Sequence, residues 1–243
     1  MPDRAAIVTG ASQGIGKAVA VRLAADGFAV VVNYASNAAE AENVVGDISS
    51  AGGMALAIQA DVSKQADVTR LFEETARRLG GVDVVVNNAG IMELKPIADA
   101  ADELFDRTIA INVRGTFNMM RAGMKVIRGG GRIINFSSSV LGLALPTYGV
   151  YIASKAAVEA LTRAAANELR GRNISVNAVA PGPIGTALFL KGKTQEDIQN
   201  FAKRAPLERL GTPADVASVV AFLAGEEGGW INGQVIRANG GLV

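Results

Sequence analysis

A tyrosine and a lysine four positions apart are the residues best able to do chemistry in this chain. Tyr151 and Lys155 fall in a helical pattern, so they should share one face of a helix. A neighbouring ammonium favours phenolate over phenol, and we therefore predict that Lys155 lowers the pKa of Tyr151 from about 10. The pair would then act as a general acid or base near neutral pH. The same spacing also arises by chance in surface helices, so other residues must decide.

Composition excludes several other kinds of catalytic site. The 243 residues include no histidine and no cysteine. A histidine-based triad, a cysteine nucleophile, a disulfide and a zinc site built from either residue type are therefore impossible. Lysine plus arginine number 24 and aspartate plus glutamate 23, for a net charge of +1, and no basic stripe is present. We therefore expect no nucleic-acid partner.

Two further sets of polar residues could contribute to a catalytic site. Ser137, Ser138 and Ser139 close an apolar segment, and open α/β sheets bind ligands at the carboxyl ends of their strands. Asn112 lies among apolar residues of a predicted helix, and a buried amide needs hydrogen-bond partners. Asn112 could equally be a structural kink or a bond between helices.

A glycine-rich turn follows the first predicted strand and precedes a helical segment. Gly10 permits a sharp turn, Gly14 lets a pyrophosphate approach the backbone, and Gly16 permits close packing of helix on strand. The helix N-terminus would offer N–H groups to the phosphates. The same turn contains Ser12, Gln13 and Ile15. We therefore predict a dinucleotide site here.

The segment after the second predicted strand indicates which dinucleotide is bound. It holds no carboxylate before Glu40, whereas an acid there would bind the ribose hydroxyls and repel a 2′-phosphate. Asn33, Tyr34 and Ser36 form a neutral polar pocket, although no arginine or lysine is present to bind a phosphate. We predict NADP(H), with NAD(H) as the alternative. Asn33 and Ser36 could instead merely cap the next helix.

Short apolar segments alternate with helical patterns along the whole chain. Strands are predicted at 5–9, 29–33, 55–59, 82–87, 132–137, 174–179 and 234–237, and helices at about 15–26, 37–51, 64–79, 101–127, 149–170 and 213–224. The continuous apolar strands are typical of parallel strands buried on both faces. We predict an α/β fold: one doubly wound, Rossmann-type domain over residues 1–243, with a mostly seven-stranded parallel sheet and helices on both faces. A substrate lid is expected at about 183–204.

Taken in order, the motifs resemble the classical short-chain dehydrogenase/reductase family, most closely its 3-oxoacyl-acyl-carrier-protein reductases. The resemblance covers essentially the whole chain. The motifs that carry it are Thr9-Gly10-x-x-x-Gly14-x-Gly16, Asp61-Val62, Asn87-Asn88-Ala89-Gly90, Asn112, Ser138 thirteen residues before Tyr151, Lys155 and Pro181-Gly182. One departure is Gln13, where many NADP-using relatives have a basic residue.

The resemblance implies a role for each of these residues. Ser138 would hold the substrate carbonyl, and Tyr151 would donate the proton. Lys155 would bind the nicotinamide ribose and tune Tyr151, while Asn112 would hold a water of a proton relay. The other implied cofactor contacts are Asp61 and Val62 at the adenine, Asn88, Ala89 and Gly90 along the cleft, and Pro181, Gly182, Ile184 and Thr186 over the nicotinamide.

The resulting prediction is an NADP(H)-dependent reductase that converts a ketone, 3-oxoacyl or similar, to a secondary alcohol. An apolar cleft wall is expected from Met92, Ser139, Leu141, Leu143, Tyr148, Leu188 and Phe189. One alternative is a sugar or polyol dehydrogenase of the same family. Another is a catalytically silent cofactor sensor, although a sensor would not need the Tyr–Lys pair.

Expectations for partners and location complete the sequence-based description. An acyl-carrier protein could dock on five cations that could equally be ordinary solvated charges: Lys125, Arg128, Arg132, Arg170 and Arg172. The resemblance implies a homotetramer in which the long helices, rich in small residues, pair between subunits. No apolar run reaches the roughly 20 residues that span a bilayer, and no signal-peptide pattern is present. We expect a soluble, cytoplasmic protein without a membrane partner.

Overall fold

The computed structural model describes residues 2–243 and contains a seven-stranded sheet. Its strands are β1 (Ala5–Val8), β2 (Ala29–Tyr34), β3 (Met54–Gln59), β4 (Val84–Asn87), β5 (Arg132–Phe136), β6 (Ser175–Pro181) and β7 (Val235–Ala238). All neighbouring strands are parallel, in the order β3-β2-β1-β4-β5-β6-β7. The predicted doubly wound, Rossmann-type parallel sheet is confirmed.

Helices cover both faces of this sheet. They are α1 (Gly14–Ala25), α2 (Ala38–Ser50), α3 (Gln65–Leu79), α4 (Asp102–Thr108), α5 (Thr116–Val126), α6 (Val140–Leu143), α7 (Gly149–Glu168), α8 (Ala187–Leu190), α9 (Gln195–Arg204) and α10 (Pro213–Ala224). Leu23 of α1, Val44 of α2 and Val220 of α10 belong to the apolar core on one face. Leu71 of α3 and Met119 of α5 belong to the core on the other face. Within residues 2–243, no helix has the length and apolar character needed to cross a membrane.

The strand order reverses between β1 and β4, and this reversal positions the site. After β3 the chain returns past β1 and continues with β4 on its other side. The helices leaving neighbouring strands therefore diverge, and a crevice opens at the carboxyl ends of the strands. The glycine-rich turn and the three serines both lie at that edge, because one follows β1 and the other follows β5.

The prediction of a single helix at 101–127 is wrong in one respect. A π-helical segment, Ile109–Gly115, separates α4 from α5 and contains Asn112. The Asn112 side chain, which has no exposed surface, is held by hydrogen bonds to residues far along the chain. Such widened turns are frequent at functional sites.

The region after β6 contains more helix than the sequence analysis predicted. Both α8 and α9 were missed, and α9 lies wholly within the expected lid. Thr194 caps α9: its hydroxyl accepts from the Asp197 N–H at 3.1 Å, and the Asp197 carboxylate accepts from the Thr194 N–H at 2.9 Å. A threonine followed three positions later by an acid is a recognised start signal for a helix.

Gly16 should tolerate no side chain, whereas Gly46 should benefit from one. A Cβ at Gly16 would overlap the Gly10 carbonyl oxygen and the Asn88 side chain, whereas a Cβ at Gly46, within α2, would meet nothing within 4 Å. We predict that Gly16→Ala lowers the free energy of unfolding by about 2 kcal/mol. Gly46→Ala should raise it by about 0.5–1 kcal/mol, since alanine favours helix. Urea unfolding measures both, and equal effects would contradict this packing.

Candidate active site

Thr9 and Asn88 join the glycine-rich turn to the segment after β4. The Thr9 hydroxyl accepts from the backbone N–H groups of Asn88 and Ala89, each at 3.0 Å. The Asn88 amide donates to the carbonyl oxygens of Thr9 at 2.8 Å and of Gly10 at 3.1 Å. Two motifs that are distant in the sequence therefore form one rigid wall.

The turn fits a pyrophosphate. Gly10 and Gly14 have φ angles of +60° and +57°, a region that side-chain-bearing residues rarely adopt. The N-cap Gln13 makes no capping bond with its side chain, and the first turn of α1 contains no acidic residue. The first N–H groups of α1 are thus left for an anionic ligand.

The segment that ends β2 is neutral, and Asn33 lines the cofactor cleft as predicted, although its amide nitrogen bonds within the sheet. The Asn33 amide nitrogen donates to the carbonyl oxygens of Ile58 at 3.2 Å and Ala60 at 3.1 Å, so it joins β2 to β3. Neither Asn33 nor Ser36 caps α2, because the Asn37 side chain accepts from the Glu40 N–H. The Asn33 amide donors are therefore committed to main-chain carbonyls.

Asp61 and Val62 lie at the same end. The Asp61 carboxylate accepts from the Ser63 hydroxyl at 2.7 Å and from the Ser63 N–H at 3.0 Å, so its charge is partly compensated within its own turn. Val62 is buried against Gly115, where a Cβ would overlap its side chain. The π-helical segment therefore supports the wall on which a base could lie.

Two adjoining cavities form the candidate site. The cofactor cleft, about 1230 Å³, is lined by predicted residues Gly10, Ser12, Gln13, Gly14, Ile15, Gly16, Asn33, Tyr34, Ser36, Asp61, Val62, Asn88, Ala89, Gly90 and Thr186. The substrate cavity, about 880 Å³, is lined by Tyr151, Lys155, Pro181, Gly182 and Ile184 among others. The cleft also contains Ala35, Asn37, Ala60, Ile91, Ile111, Ala187 and Leu188, of which only Leu188 was predicted to line the site, as cleft wall. Among residues 2–243, no lysine or arginine lines the cofactor cleft.

The geometry distinguishes between the three serines after β5. The Ser137 hydroxyl donates to Glu159 Oε1 at 2.6 Å. The Ser139 hydroxyl donates to the Ala180 carbonyl oxygen at 2.8 Å and accepts from Asn239 at 3.0 Å. Ser138 lines the substrate cavity, where it has a 3.4 Å contact from the Val140 N–H and a hydrogen bond with Tyr151. Its hydroxyl is therefore the one placed to act together with Tyr151 on a substrate.

Tyr151 and Lys155 line the substrate cavity on α7, but the predicted effect of the lysine is wrong. Burial raises the pKa of Tyr151 to about 12, and a hydrogen bond with Ser138 offsets only part of the rise. Burial also lowers the pKa of Lys155 to about 8. Lys155 Nζ donates to the Phe136 carbonyl oxygen at 2.8 Å and lies 5.7 Å from the Tyr151 ring centroid. Loss of hydration is therefore the largest influence on the pKa of both groups.

Asn112 lines neither cavity. Its Oδ1 accepts from the Ile91 N–H at 2.8 Å, and its amide donates to the Ile91 carbonyl oxygen and the Ser154 hydroxyl, each at 3.0 Å. A Cβ at Gly90 would stand between Asn112 Oδ1 at 3.2 Å and Lys155 Nζ at 3.6 Å. Both amide hydrogens are thus occupied, and only oxygen atoms of Asn112 could accept from a relay water.

The wall of the substrate cavity is mostly apolar, as predicted. Of the expected lining, Met92, Ser139, Leu143, Tyr148, Leu188 and Phe189 contribute, whereas Leu141 lies outside. The sequence analysis missed Leu145, Phe201 and Leu242. Phe201 comes from α9 and packs edge-on against Phe189, with ring centroids 5.3 Å apart. The capping motif of α9 was visible in the sequence, but not the packing of that helix over the cavity.

The five cations predicted as a docking surface are in the wrong place for one. Four of them precede β5 or β6 and Arg132 begins β5, so all five lie towards the sheet edge opposite the cavities; the four are Lys125, Arg128, Arg170 and Arg172. Arg128 pairs with Asp83, and the Arg172 guanidinium donates to main-chain carbonyl oxygens. A carrier protein bound there could not deliver a substrate to Tyr151.

Matches to known proteins cover nearly the whole chain, and they agree in the kind of protein that they indicate. A family model described as enoyl-(acyl carrier protein) reductase matches residues 10–243. A short-chain type dehydrogenase/reductase of Picea abies is 46% identical over 250 residues, covering 99% of this chain and 92% of that protein. An NADPH-dependent aldehyde reductase-like chloroplastic protein of Arabidopsis thaliana is 42% identical, with 100% and 95% covered.

A solved structure has the same fold. The crystal structure of a short chain dehydrogenase from Burkholderia cenocepacia in complex with NADP matches with a TM-score of 0.93. The two chains are 36% identical, and the match covers 99% of this chain and 98% of that one.

The buried Lys155 should give the cofactor-free protein a distinctive pH dependence. Its pKa of about 8 in the folded state lies below the ordinary value of 10.5. Below pH 8 the folded protein therefore keeps a charged ammonium in a buried place, which lowers its stability. As the pH rises, Lys155 loses its proton at a lower pH in the folded protein than in the unfolded chain. We predict that, relative to Lys155→Met, the wild type gains roughly 2 kcal/mol of unfolding free energy between pH 7 and pH 10. Urea titrations at both pH values measure this gain, and a difference independent of pH would contradict it.

Proposed function

Since this chain belongs to the classical short-chain dehydrogenase/reductase family, we propose that it reduces a neutral, largely apolar ketone or aldehyde to an alcohol. It is an NADP(H)-dependent oxidoreductase that acts on CH–OH or carbonyl groups. One observation carries the proposal: two hydroxyls that could serve a carbonyl oxygen, those of Ser138 and Tyr151, line an apolar cavity that adjoins the cofactor cleft.

Each polar group would have a defined part in the reaction. The bound cofactor supplies the hydride. Ser138 would donate a hydrogen bond to the carbonyl oxygen and hold it beside Tyr151. Tyr151 would donate its proton as negative charge develops on that oxygen. A phenol with a pKa of about 12 is fully protonated at neutral pH, which suits the reductive direction.

Lys155 and Asn112 would support these two groups. Lys155 would bind the nicotinamide ribose, and its positive charge would stabilise Tyr151 after the phenol loses its proton. Asn112 would act mainly by position, because it fastens the Ile91 segment to α7 through Ser154. We propose that a relay water reaches Lys155 through oxygen atoms of Asn112.

The preference for NADP(H) would rest on neutral groups. No carboxylate ends β2, and among the described residues the one acid that lines the cofactor cleft, Asp61, is bonded to Ser63. Tyr34 and Ser36 leave room for a 2′-phosphate, and the N-terminal N–H groups of α2 lie next to them. A lysine or arginine that binds the 2′-phosphate is not required if no carboxylate repels it.

The substrate cavity favours some ketones over others. Apart from Lys155, no charged side chain lines it within the described chain, so a phosphorylated or acidic substrate would find no counter-charge. A 3-oxoacyl chain would fit the apolar wall as a small neutral ester or thioester. We do not extend the proposal to a carrier-bound acyl group, because the predicted docking cations lie across the sheet. A free sugar is disfavoured for want of polar lining.

Residues 183–204 would form the lid of a single catalytic domain. Lys193 contacts both of its helices: the ammonium donates to the Phe189 carbonyl oxygen at 2.7 Å and lies 4.5 Å from the Phe189 ring centroid and 6.0 Å from that of Phe201. Phe189 and Phe201 both line the substrate cavity, so movement of the lid would open it. The cytoplasmic location remains a prediction from the sequence.

Replacement of Tyr151 provides the direct test of the reaction. We predict that Tyr151→Phe lowers kcat for NADPH-dependent ketone reduction at least a hundredfold, because the proton donor is lost. NADPH binding, measured by cofactor fluorescence, should change little. The control Tyr34→Phe keeps the proton donor and should retain kcat within a few fold. Full turnover by Tyr151→Phe would exclude the proposed mechanism.

We also propose a homotetramer, on the basis of exposed apolar side chains on helices. Phe105 of α4 and Phe117 of α5 are 48% and 43% exposed, and Trp230, after α10, is 99% exposed. Burial of such large side chains between subunits would remove them from water. Light scattering after size exclusion should give the mass of four chains, and Phe117→Glu should reduce it. A monomeric wild type would refute the assembly.

A further inference from the structure

Tyr148 places a second phenol in the substrate cavity, three residues before Tyr151. The residue is 8% exposed and lines the cavity, and its hydroxyl, which is accessible from the cavity, bonds to no described residue. The Tyr148 and Tyr151 rings meet edge-on, with centroids 6.5 Å apart and planes at 68°. A ligand that fills the cavity would take water away from this hydroxyl, and a hydroxyl removed from water needs a hydrogen-bond partner. The Tyr148 phenol is therefore placed to bond a group that enters the cavity.

The Tyr148 phenol is a neutral hydrogen-bond donor. Burial raises the pKa of Tyr148 above its ordinary value, so the hydroxyl keeps its proton at neutral pH. Tyr148 and Tyr151 line the same cavity, and their ring centroids are 6.5 Å apart. A ligand that places its reacting carbonyl at Tyr151 would therefore bring its neighbouring atoms close to Tyr148.

The other uncharged polar side chains that line the cavity in the described chain already have partners or would serve the reacting carbonyl. The Asn88 amide donates to the Thr9 and Gly10 carbonyl oxygens, and the Thr186 hydroxyl accepts from the Phe189 N–H. Ser137 is bonded to Glu159, and Ser139 to Ala180 and Asn239. Ser138 and Tyr151 would both serve the reacting carbonyl oxygen. Tyr148 is thus the polar group in this otherwise apolar wall that remains available to a second part of the substrate.

We propose that Tyr148 determines specificity by donating a hydrogen bond to a second substrate oxygen, a hydroxyl or carbonyl one or two carbons from the reacting carbonyl. The preferred substrates are then oxygenated ketones such as diketones and hydroxy ketones. This proposal rests on the proposed function, because it presumes that Ser138 and Tyr151 hold the carbonyl. A site built to bond a substrate oxygen discriminates against the analogue that lacks it, since a buried polar group is left unpaired.

A matched pair of ketones tests the proposal. Phenylacetone and methyl phenyl diketone share one carbon skeleton and differ by one oxygen, next to the acetyl carbonyl. We expect Tyr148→Phe to lower kcat/KM for the diketone about fivefold to tenfold, chiefly through KM, because a single hydrogen bond is lost. The value for phenylacetone should stay within about twofold, since phenylalanine preserves the ring contact with Tyr151.

Ser139→Ala is the matched control, since it also removes a cavity-lining hydroxyl, but one that is already bonded within the protein. It should leave the ratio of the two kcat/KM values unchanged. An unchanged ratio in Tyr148→Phe, with an active wild type, would overturn the role of Tyr148 alone. A wild type that oxidises no NADPH with either ketone would overturn the proposed function together with this inference.

Discussion

Removal of water from Tyr151 and Lys155 is the constraint on which the site depends. The chain has no histidine, so its proton chemistry falls to groups whose ordinary pKa values lie far above neutrality. Burial moves the two values in opposite directions, to about 12 for the phenol and about 8 for the ammonium. The cavity thereby presents a neutral phenol as donor, beside a lysine whose charge is easily lost.

The rest of the structure maintains this largely apolar cavity at one edge of the sheet. Thr9 and Asn88 join the turn after β1 to the segment after β4. Glu159 and Ala180 accept from the hydroxyls of Ser137 and Ser139, so that of the three serines only Ser138 keeps its hydroxyl for a substrate. The π-helical segment secures Ile91 and Ser154 through Asn112. Each of these bonds links residues from different elements, so the parallel sheet must form before the site can exist.

Much of the fold was predictable because strands buried on both faces are continuous apolar runs. The cofactor residues were predictable because glycine spacing reflects backbone geometry. The sequence could not reveal that Asn33 turns towards the carbonyl oxygens of Ile58 and Ala60, or that Lys155 bonds to Phe136. Those partners are set by strand register and tertiary packing. The spacing of Tyr151 and Lys155 predicted their proximity correctly, but not the balance between desolvation and charge.

Ionisation of the three tyrosines would test most directly whether burial governs Tyr151. The chain has only Tyr34, Tyr148 and Tyr151, so ring-carbon NMR signals can be assigned from three single Tyr→Phe variants. In the cofactor-free protein, Tyr151 should remain protonated at pH 10, where an ordinary tyrosine is about half ionised. Ionisation of Tyr151 below pH 9 would show that the Lys155 charge outweighs desolvation and would contradict this account.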